Sequence, residues 1–538
     1  MKKLIVLFLL LLFVQILPAN SSEDITNWKP WSDAIFEEAK KENKFIILDL
    51  EAVWCHWCHV MHKETYADSS VIKILNDHYI SVRVDQDSRP DLSNRYRDYG
   101  WPATIIFSPD GKELAKRSGY IQAEDMKLLL QKIVENPSPE ETEVDETKIT
   151  FSNSPVLSEE LKTKLINNHE ESYDNNLGGL KLYQKFLDAD STEYSLYQAK
   201  AGNTKEEEKA KKTLDAAITT IDPVWGGAYQ YSTMGGWNYP HFEKLATIQS
   251  RFIEIYSVAY NHFKDPKYLK AATDVYKYVR DFLTSPEGVF YVSQDADLIQ
   301  GEHSHDYFSK SDSERRKLGI PRVDEHVYSS QNGLLIDAFV SLYKATQNEN
   351  YLTESIEAAN WIIKNRSLKV NVIDNLKWVF SDWTDFKLIL KNIKWMISNL
   401  SWAEVGFSHD KKDSAGPFLA DTLNMGKAFI SLYEATSNKK WLVKAEQCMR
   451  FIDRHFTSPV AGFATSEASC KVCANRSPGR LIEENIELAR LSNRLFDLTK
   501  NNSYKVLYDH SMKYLVTPEI ALKTLTEPGI LIVSMKEQ

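Results

Sequence analysis

The chain has 538 residues, 43% of them hydrophobic and 12% aromatic, which is enough to build packed cores and too apolar for a disordered polymer. Asp and Glu outnumber Lys and Arg by 75 to 65, a formal net charge of −10, and no basic run offers the electrostatic footprint of nucleic-acid binding. Five cysteines are too few for a disulfide-built scaffold, yet four of them form two Cys-x-x-Cys pairs.

Residues 1–22 begin with Lys2 and Lys3, run apolar from Leu4 to Leu17 with Gln15 as the only break, and end in small residues from Ala19 to Ser22. This pattern predicts a cleavable secretory signal, hence a secreted or periplasmic protein with no membrane span in the mature chain. In an oxidising compartment a Cys-x-x-Cys pair can be functional without being structural.

Residues 23–135 predict an α/β domain. Ala34, Ile35, Glu38 and Ala39 at helical spacing give a helix over Trp31 to Glu42, and Phe45 to Leu50 reads as a buried strand. Trp54-Cys55-His56-Trp57-Cys58-His59 then opens a helical pattern reaching Leu75. A strand from Ile80 to Val84 follows, then a polar helical stretch with Asp87, Arg89-Pro90-Asp91 and Tyr96. Gly100-Trp101-Pro102, a strand Thr104 to Phe107, the turn Pro109-Asp110-Gly111-Lys112, an edge strand and a helix to about Val134 complete the domain. This order, with Cys-x-x-Cys at a strand-to-helix junction, is thioredoxin-like. Helix N-terminal amides at such a junction lower a thiol pKa.

The spacing lets Cys55 act as nucleophile while Cys58, one turn inside the helix, resolves the mixed disulfide. A protonated His56 between them would favour the thiolate, with Trp57 completing the dipeptide. Pro102 is the candidate cis proline, and Asp49, six residues before Cys55, is a candidate acceptor for the resolving thiol's proton. Three other readings of the motif stay open: Cys-x-x-Cys-His as a haem attachment site, a soft-metal site from Cys55, Cys58, His59 and His62, and a buried structural disulfide. The redox reading needs no cofactor and takes protein thiols or disulfides as partners.

Trp54 to Met61, Arg89-Pro90-Asp91 and Gly100-Trp101-Pro102 resemble the thioredoxin-like domain of the spermatogenesis-associated protein 20 family, also called DUF255. The resemblance implies a large helical domain, similar to six-hairpin glycosidases and N-acylglucosamine epimerases, behind the first. His56-Trp57 replaces the Gly-Pro of ordinary thioredoxins. The lysine that partners the buried aspartate in many of them has no evident match, because Ser81 falls near its place.

Residues 136–153 are acidic and Pro/Ser-containing, a linker. Residues 154–538 are dominated by amphipathic helical periods and carry a repeat: LIDAFVSLYKATQNENYL (335–352) and MGKAFISLYEATSNKKWL (425–442) align without gaps. A degenerate copy keeps Leu495-Phe496, Thr499, Asn501 and Tyr504 in register. An earlier one, Phe252 to Tyr256 followed by Lys267-Tyr268-Leu269, reads with a connection about four residues longer. Each copy is a helical hairpin, and several hairpins predict an (α/α)6-type toroid, with an open solenoid as the alternative.

Connections between hairpins are long and polar, so they should gather on one end of the toroid: Gly226 to Glu243, Asp295 to His305, Asp324 to His326, His409 to Asp421 and Thr465 to Asn485. The resemblance draws attention to Pro240 to Lys244, Ser285 to Gly288 and Gln294 to Asp297. His241 with Glu243, and Asp295 with Asp297, are the candidate substrate-binding pairs, suited to a carbohydrate. Cys470 and Cys473 form a second pair, either a loop staple or a partner for Cys55 and Cys58 if the domains dock. Cys448 reads as a buried helix residue, and Trp378 to Trp402 as an amphipathic, aromatic stretch with too many charges to span a membrane. The sequence therefore predicts a secreted thiol–disulfide oxidoreductase whose toroid binds or docks a substrate. A carbohydrate-active toroid with a regulatory redox module, and a non-enzymatic metal- or protein-binding scaffold, are the alternatives.

Overall fold

The computed structural model describes residues 26–140, 149–368, 404–411, 415–467 and 478–535. The first domain contains α1 (Ala34–Glu42), β1 (Phe45–Glu51), α2 (His56–Glu64), α3 (Ser69–His78), β2 (Tyr79–Asp85), α4 (Pro90–Tyr96), β3 (Ala103–Phe107), β4 (Glu113–Ser118) and α5 (Ala123–Glu135). Its sheet has the order β2-β1-β3-β4, with β1 and β2 parallel and the other pairs antiparallel.

Strand β1 alternates between two cores. Ile46, Leu48 and Leu50 pack with Phe36 and Ile105 on one face, and Ile47 with Met61, Leu75 and Leu130 on the other. Asp49 shares the Ile47 face, which places a carboxylate among apolar side chains beneath α2. The single helical pattern read from His56 to Leu75 is two helices. The first ends at Glu64, and Asp68 caps the second, its side chain accepting from the backbone N–H groups of Ser70 and Val71.

The second domain is a closed ring. Inner helices Ala189–Lys200, Ala246–Phe263, Ser329–Thr346, Leu419–Thr436 and Ile482–Thr499 pack each on the next, and Pro528–Ser534 packs between the last and the first. Each has an outer partner; for Pro528–Ser534 this is Glu159–Ser172 from the start of the domain. A separate apolar cluster of Leu161, Leu165, Tyr194, Ile486, Ile530 and Leu531 seals this closure, so the architecture is the (α/α)6 toroid rather than the open solenoid. Between the inner helices polar side chains interlock: Lys427 Nζ lies 2.5 Å from Glu487 Oε2, and Arg490 Nη1 lies 2.8 Å from Glu193 Oε2.

The repeat has a local cause. Four inner helices end in a left-handed residue, Lys264, Gln347, Ser437 and Lys500, with φ of 55°, 59°, 54° and 56°. The next residue caps the outer helix: the side chains of Asp265, Asn348, Asn438 and Asn501 accept from the N–H groups of Lys267, Asn350, Lys440 and Ser503. The earliest copy therefore has no longer connection. Tyr260, not Tyr256, occupies the place of Tyr343, and Tyr268 that of Tyr351, around the same two-residue turn.

Candidate functional site

Strand β1 ends at Glu51, and the chain turns through Ala52-Val53-Trp54 into α2. Cys55 caps that helix, its Sγ accepting from the Cys58 N–H at 3.2 Å. The two cysteines form a disulfide with a Cα–Cα distance of 5.3 Å. Trp54, Trp101 and Leu245 of the toroid pack around it, leaving Cys55 5% exposed and Cys58 fully buried, while Trp57 is 38% exposed. The Trp101–Pro102 peptide is cis, as Pro102 was expected to be, and leads into β3.

Asp49 is fully buried. Its Oδ2 accepts from Arg83 Nε at 2.9 Å and from His62 Nε2 at 3.0 Å, and His62 Nε2 also lies 2.7 Å from Glu51 Oε2. The aspartate does have a cationic partner, then. It is Arg83, which faces Asp49 across the β1–β2 register, whereas Ser81 sits one rung earlier, opposite Ile47. The Arg83 guanidinium is stacked 4.1 Å from the Trp28 ring, which holds it in place. Burial works against a charge on His62, but hydrogen bonds to Asp49 and Glu51 outweigh it and bring the imidazole up to about 9.

The inter-hairpin loops gather on one end of the toroid, and the α/β domain sits on that end. Three two-residue strands, Lys244–Leu245, Ser293–Gln294 and Val323–Asp324, tie the first three loops side by side. Leu245 touches the disulfide cluster, Asp297 meets α2, Asp324 faces Asp85 and Asp87, His409 Nε2 donates to the Asp87 carbonyl at 2.7 Å, and Arg97 pairs with Glu483. All five loops thus reach the first domain.

Directly under the redox motif, Asp297 bridges two histidines: Oδ1 lies 2.7 Å from His56 Nδ1, and Oδ2 lies 3.1 Å from His59 Nδ1. Burial alone would raise this carboxyl; the hydrogen bonds from His56 and His59 hold it at about 2. Asp295 accepts from the Asp297 N–H through Oδ1, and its buried Oδ2 has no hydrogen-bond partner but lies 3.7 Å from His59 Nε2. Burial, with the Asp297 and Glu243 charges adding to it against His59, pushes Asp295 up to about 7. His303 stacks 4.3 Å from the His56 ring, and Glu243 is buried with Oε2 unpartnered. His241 stacks on Tyr231, its Nδ1 3.9 Å from Glu243 Oε2.

Beside this junction is a cleft of about 290 Å3 lined from both domains, by Trp31, Arg83, Asp85 and Arg89 on one side and His326 and Tyr328 on the other. Asp87, two residues after the lining Asp85, is brought up to about 6 by burial, with Asp324 adding to the effect although Trp54 Nε1 donates to it at 2.6 Å.

Among the described residues two trios bring metal-capable atoms within 4.8 Å of one another, Asp49 with Glu51 and His62, and His59 with Asp295 and Asp297. In both, the imidazole nitrogens are already engaged: His62 Nε2 by the two carboxylates, His59 Nδ1 by Asp297 and Nε2 by the Val53 carbonyl at 3.1 Å. They are ion pairs. His59 and His62 point to different partners, so the soft-metal grouping of both with the two cysteines is not assembled.

The structure therefore unites what the sequence offered as two sites, because Asp297 and the Cys55–Cys58 motif are one junction. Sequence reasoning missed Arg83 and His303. Arg83 could have been found only from strand register, and His303 from its place in the Asp295 to His305 loop. Cys448 is buried and free. Residues 1–25, which include the whole signal-like segment, Cys470 with Cys473, and all of 378–402 lie outside the described residues. Among those described, no helix is long and apolar enough to cross a membrane.

Residues 17–153 match the family described as "Protein of unknown function, DUF255". An uncharacterized protein of Caenorhabditis elegans, B0495.5, is 24% identical over 469 residues, 80% of this chain and 62% of that one. Spermatogenesis-associated protein 20 of Mus musculus is 27% identical over 306 residues, 50% of this chain and 39% of its own length. The chain thus spans less than two thirds of these curated relatives. Thiol:disulfide interchange protein DsbD of Campylobacter jejuni is 34% identical over 105 residues, 18% of each chain. Among solved structures, cellobiose 2-epimerase from Bacillus thermoamylovorans superimposes with a TM-score of 0.48 at 10% identity, covering 66% of this chain and 85% of that one. Residues 17–153 thus match the DUF255 family model, and half of the chain is similar to spermatogenesis-associated protein 20.

Proposed function

We propose that the chain is an exported thiol–disulfide oxidoreductase acting through Cys55 and Cys58. The observation that carries this reading is the Cys55–Cys58 disulfide at the N-terminus of α2, beside the cis Trp101–Pro102 bond. A substrate thiolate attacks Cys55 Sγ, the Cys55–Cys58 bond breaks, and Cys58 leaves as a thiolate that takes up a proton. A second substrate thiolate attacks the substrate sulfur of the mixed disulfide and releases Cys55. Two electrons pass from the substrate dithiol, now a disulfide, to the cysteine pair. Asp49, buried on the α2 face of β1, is the group proposed to exchange the Cys58 proton. The leader-like residues 1–22 support export to a compartment where the pair stays oxidised.

The test is the midpoint potential of the pair in the full chain, by thiol trapping in glutathione buffers. A value within about −120 to −270 mV supports exchange, whereas a pair that stays oxidised below about −300 mV is structural and overturns the reading.

A second reading is favoured by the two buried acceptors at the toroid mouth, Glu243 Oε2 and Asp295 Oδ2, which lack hydrogen-bond partners. Hydroxyl donors of a carbohydrate would satisfy them. Titration calorimetry with di- and oligosaccharides tests it: binding lost in Glu243→Gln supports the reading, and no heat with any sugar removes it.

A further inference from the structure

We propose that Asp297, a toroid residue, is a positioning residue of the redox centre, holding His56 by Nδ1 and fixing His59 as an imidazolium beside Cys55. This rests on the oxidoreductase reading and extends it across the domain boundary.

The geometry assigns the protons. Asp297 only accepts, so the Nδ1 atoms of His56 and His59, at 2.7 and 3.1 Å, both donate to it. His59 Nε2 lies 3.1 Å from the Val53 carbonyl, which also only accepts, so that nitrogen donates there; the Gln300 Nε2 contact to the same atom, at 3.5 Å, is too long to compete. With both nitrogens donating, His59 carries a positive charge, in keeping with its raised pKa: burial opposes the charge and the Asp297 hydrogen bond outweighs it. His56, fixed by Nδ1, keeps a buried Nε2 with no partner in the oxidised protein. Its place in the chain is next to Cys55, and His59 follows one turn on in the same helix, its N–H donating to the Cys55 carbonyl at 3.2 Å.

The site is dry, with His56, His59 and Asp297 all buried, so a charge there acts on the thiolate far more strongly than in water. Reduction takes the disulfide, two electrons and one proton to a Cys55 thiolate and a Cys58 thiol. The imidazolium stabilises that thiolate, and the carboxylate stabilises the imidazolium from its far nitrogen. The other ionisable groups facing the two rings are Asp295, Glu243, His241 and His303, with the Lys63–Glu302 pair at the rim.

The variant Asp297→Asn keeps the shape of the side chain and an oxygen for the Gly301 N–H, which now donates at 2.8 Å. The full chain is used in two measurements. The first is the alkylation rate of Cys55 against pH in a C58S/C470S/C473S background, where Cys448 stays silent because burial pushes it up to about 12. D297N is expected to raise the Cys55 thiol pKa by about one unit, a roughly tenfold slower alkylation below it. The second is the midpoint potential of the intact pair, expected to become more negative by about 30 mV for a tenfold change in equilibrium constant.

In an H56Q/H59Q background the D297N substitution should shift neither quantity, a dependence that a purely structural role would not produce. An unchanged or lowered thiol pKa in D297N overturns the proposal. If D297N does not fold, H59Q reads the same coupling and must also raise the Cys55 pKa, with no shift overturning it. The thiol pKa is measurable whether or not the pair exchanges, so failure here is distinct from failure of the oxidoreductase reading.

Discussion

Arg83 stands opposite Asp49 across the parallel β1–β2 pair, its Nε 2.9 Å from the carboxylate. A carboxylate sealed among apolar side chains keeps its charge only with such a partner.

Replacing Arg83 with Met leaves Asp49 with His62 alone. We expect a loss of about 3 kcal/mol in the unfolding free energy of the oxidised protein, measured by urea denaturation with tryptophan fluorescence. Arg83→Lys should recover only part of it, since a lysine keeps the charge but not the planar stack on Trp28.

His62 makes the first domain pH-sensitive. Its folded pKa, about 9, lies above the unfolded value near 6.5, so its stabilising contribution is complete below about pH 6.5 and is lost as pH rises through about 9. Stability should fall by on the order of 2 kcal/mol over that window, and the His62→Gln protein should show a flatter profile. Urea midpoints measured at intervals between pH 6 and 10 check both; an unchanged slope in H62Q would contradict the assignment.

At the hairpin turns, Gln347 holds a left-handed backbone that glycine adopts freely. Gln347→Gly should raise stability by about 0.5–1 kcal/mol. Its neighbour Asn348 caps the following helix, and Asn348→Ala should cost about 1 kcal/mol. Thermal unfolding of the two variants should therefore move in opposite directions.

Gly333 marks the closest approach of two inner helices. A Cβ there would lie 2.6 Å from the Asn424 carbonyl carbon, a backbone atom that has no rotamer to yield. Gly333→Ala should cost about 1–3 kcal/mol by pushing Ser329–Thr346 away from Leu419–Thr436. Differential scanning calorimetry would register this as a lowered toroid transition.

Much of this architecture was legible in the chain. The nearly continuous apolar run of Phe45 to Leu50, the cysteine pair after it and Pro102 identify the α/β domain, because composition, turn chemistry and motif agree there. The Tyr-x-x-x-x-Asn spacing of the repeat is a local rule, a left-handed residue followed by a cap, and local rules survive in sequence. The earliest copy was misplaced by one helical turn, Tyr256 for Tyr260, because an amphipathic helix looks alike every three or four residues. Arg83 escapes the sequence reading, which finds Ser81 near the place of the partner lysine, for a similar reason. Both lie on the same face of β2, and only pairing with β1 tells which rung meets Asp49. Asp297 stands out in the sequence only as a loop carboxylate paired with Asp295; its contact with His56 joins residues 241 apart and depends on domain docking, which no local pattern encodes.

If both proposed readings hold, ligand occupancy beneath the first domain and the oxidation state of Cys55 and Cys58 are two coordinates of one equilibrium. A molecule that enters beneath the first domain must either displace the Asp297–His56 contact or add to it. By linkage, the factor by which it changes the ratio of reduced to oxidised protein is the factor by which reduction changes its own affinity. In that case Asp297, which bridges His56 and His59, is the joint between the two.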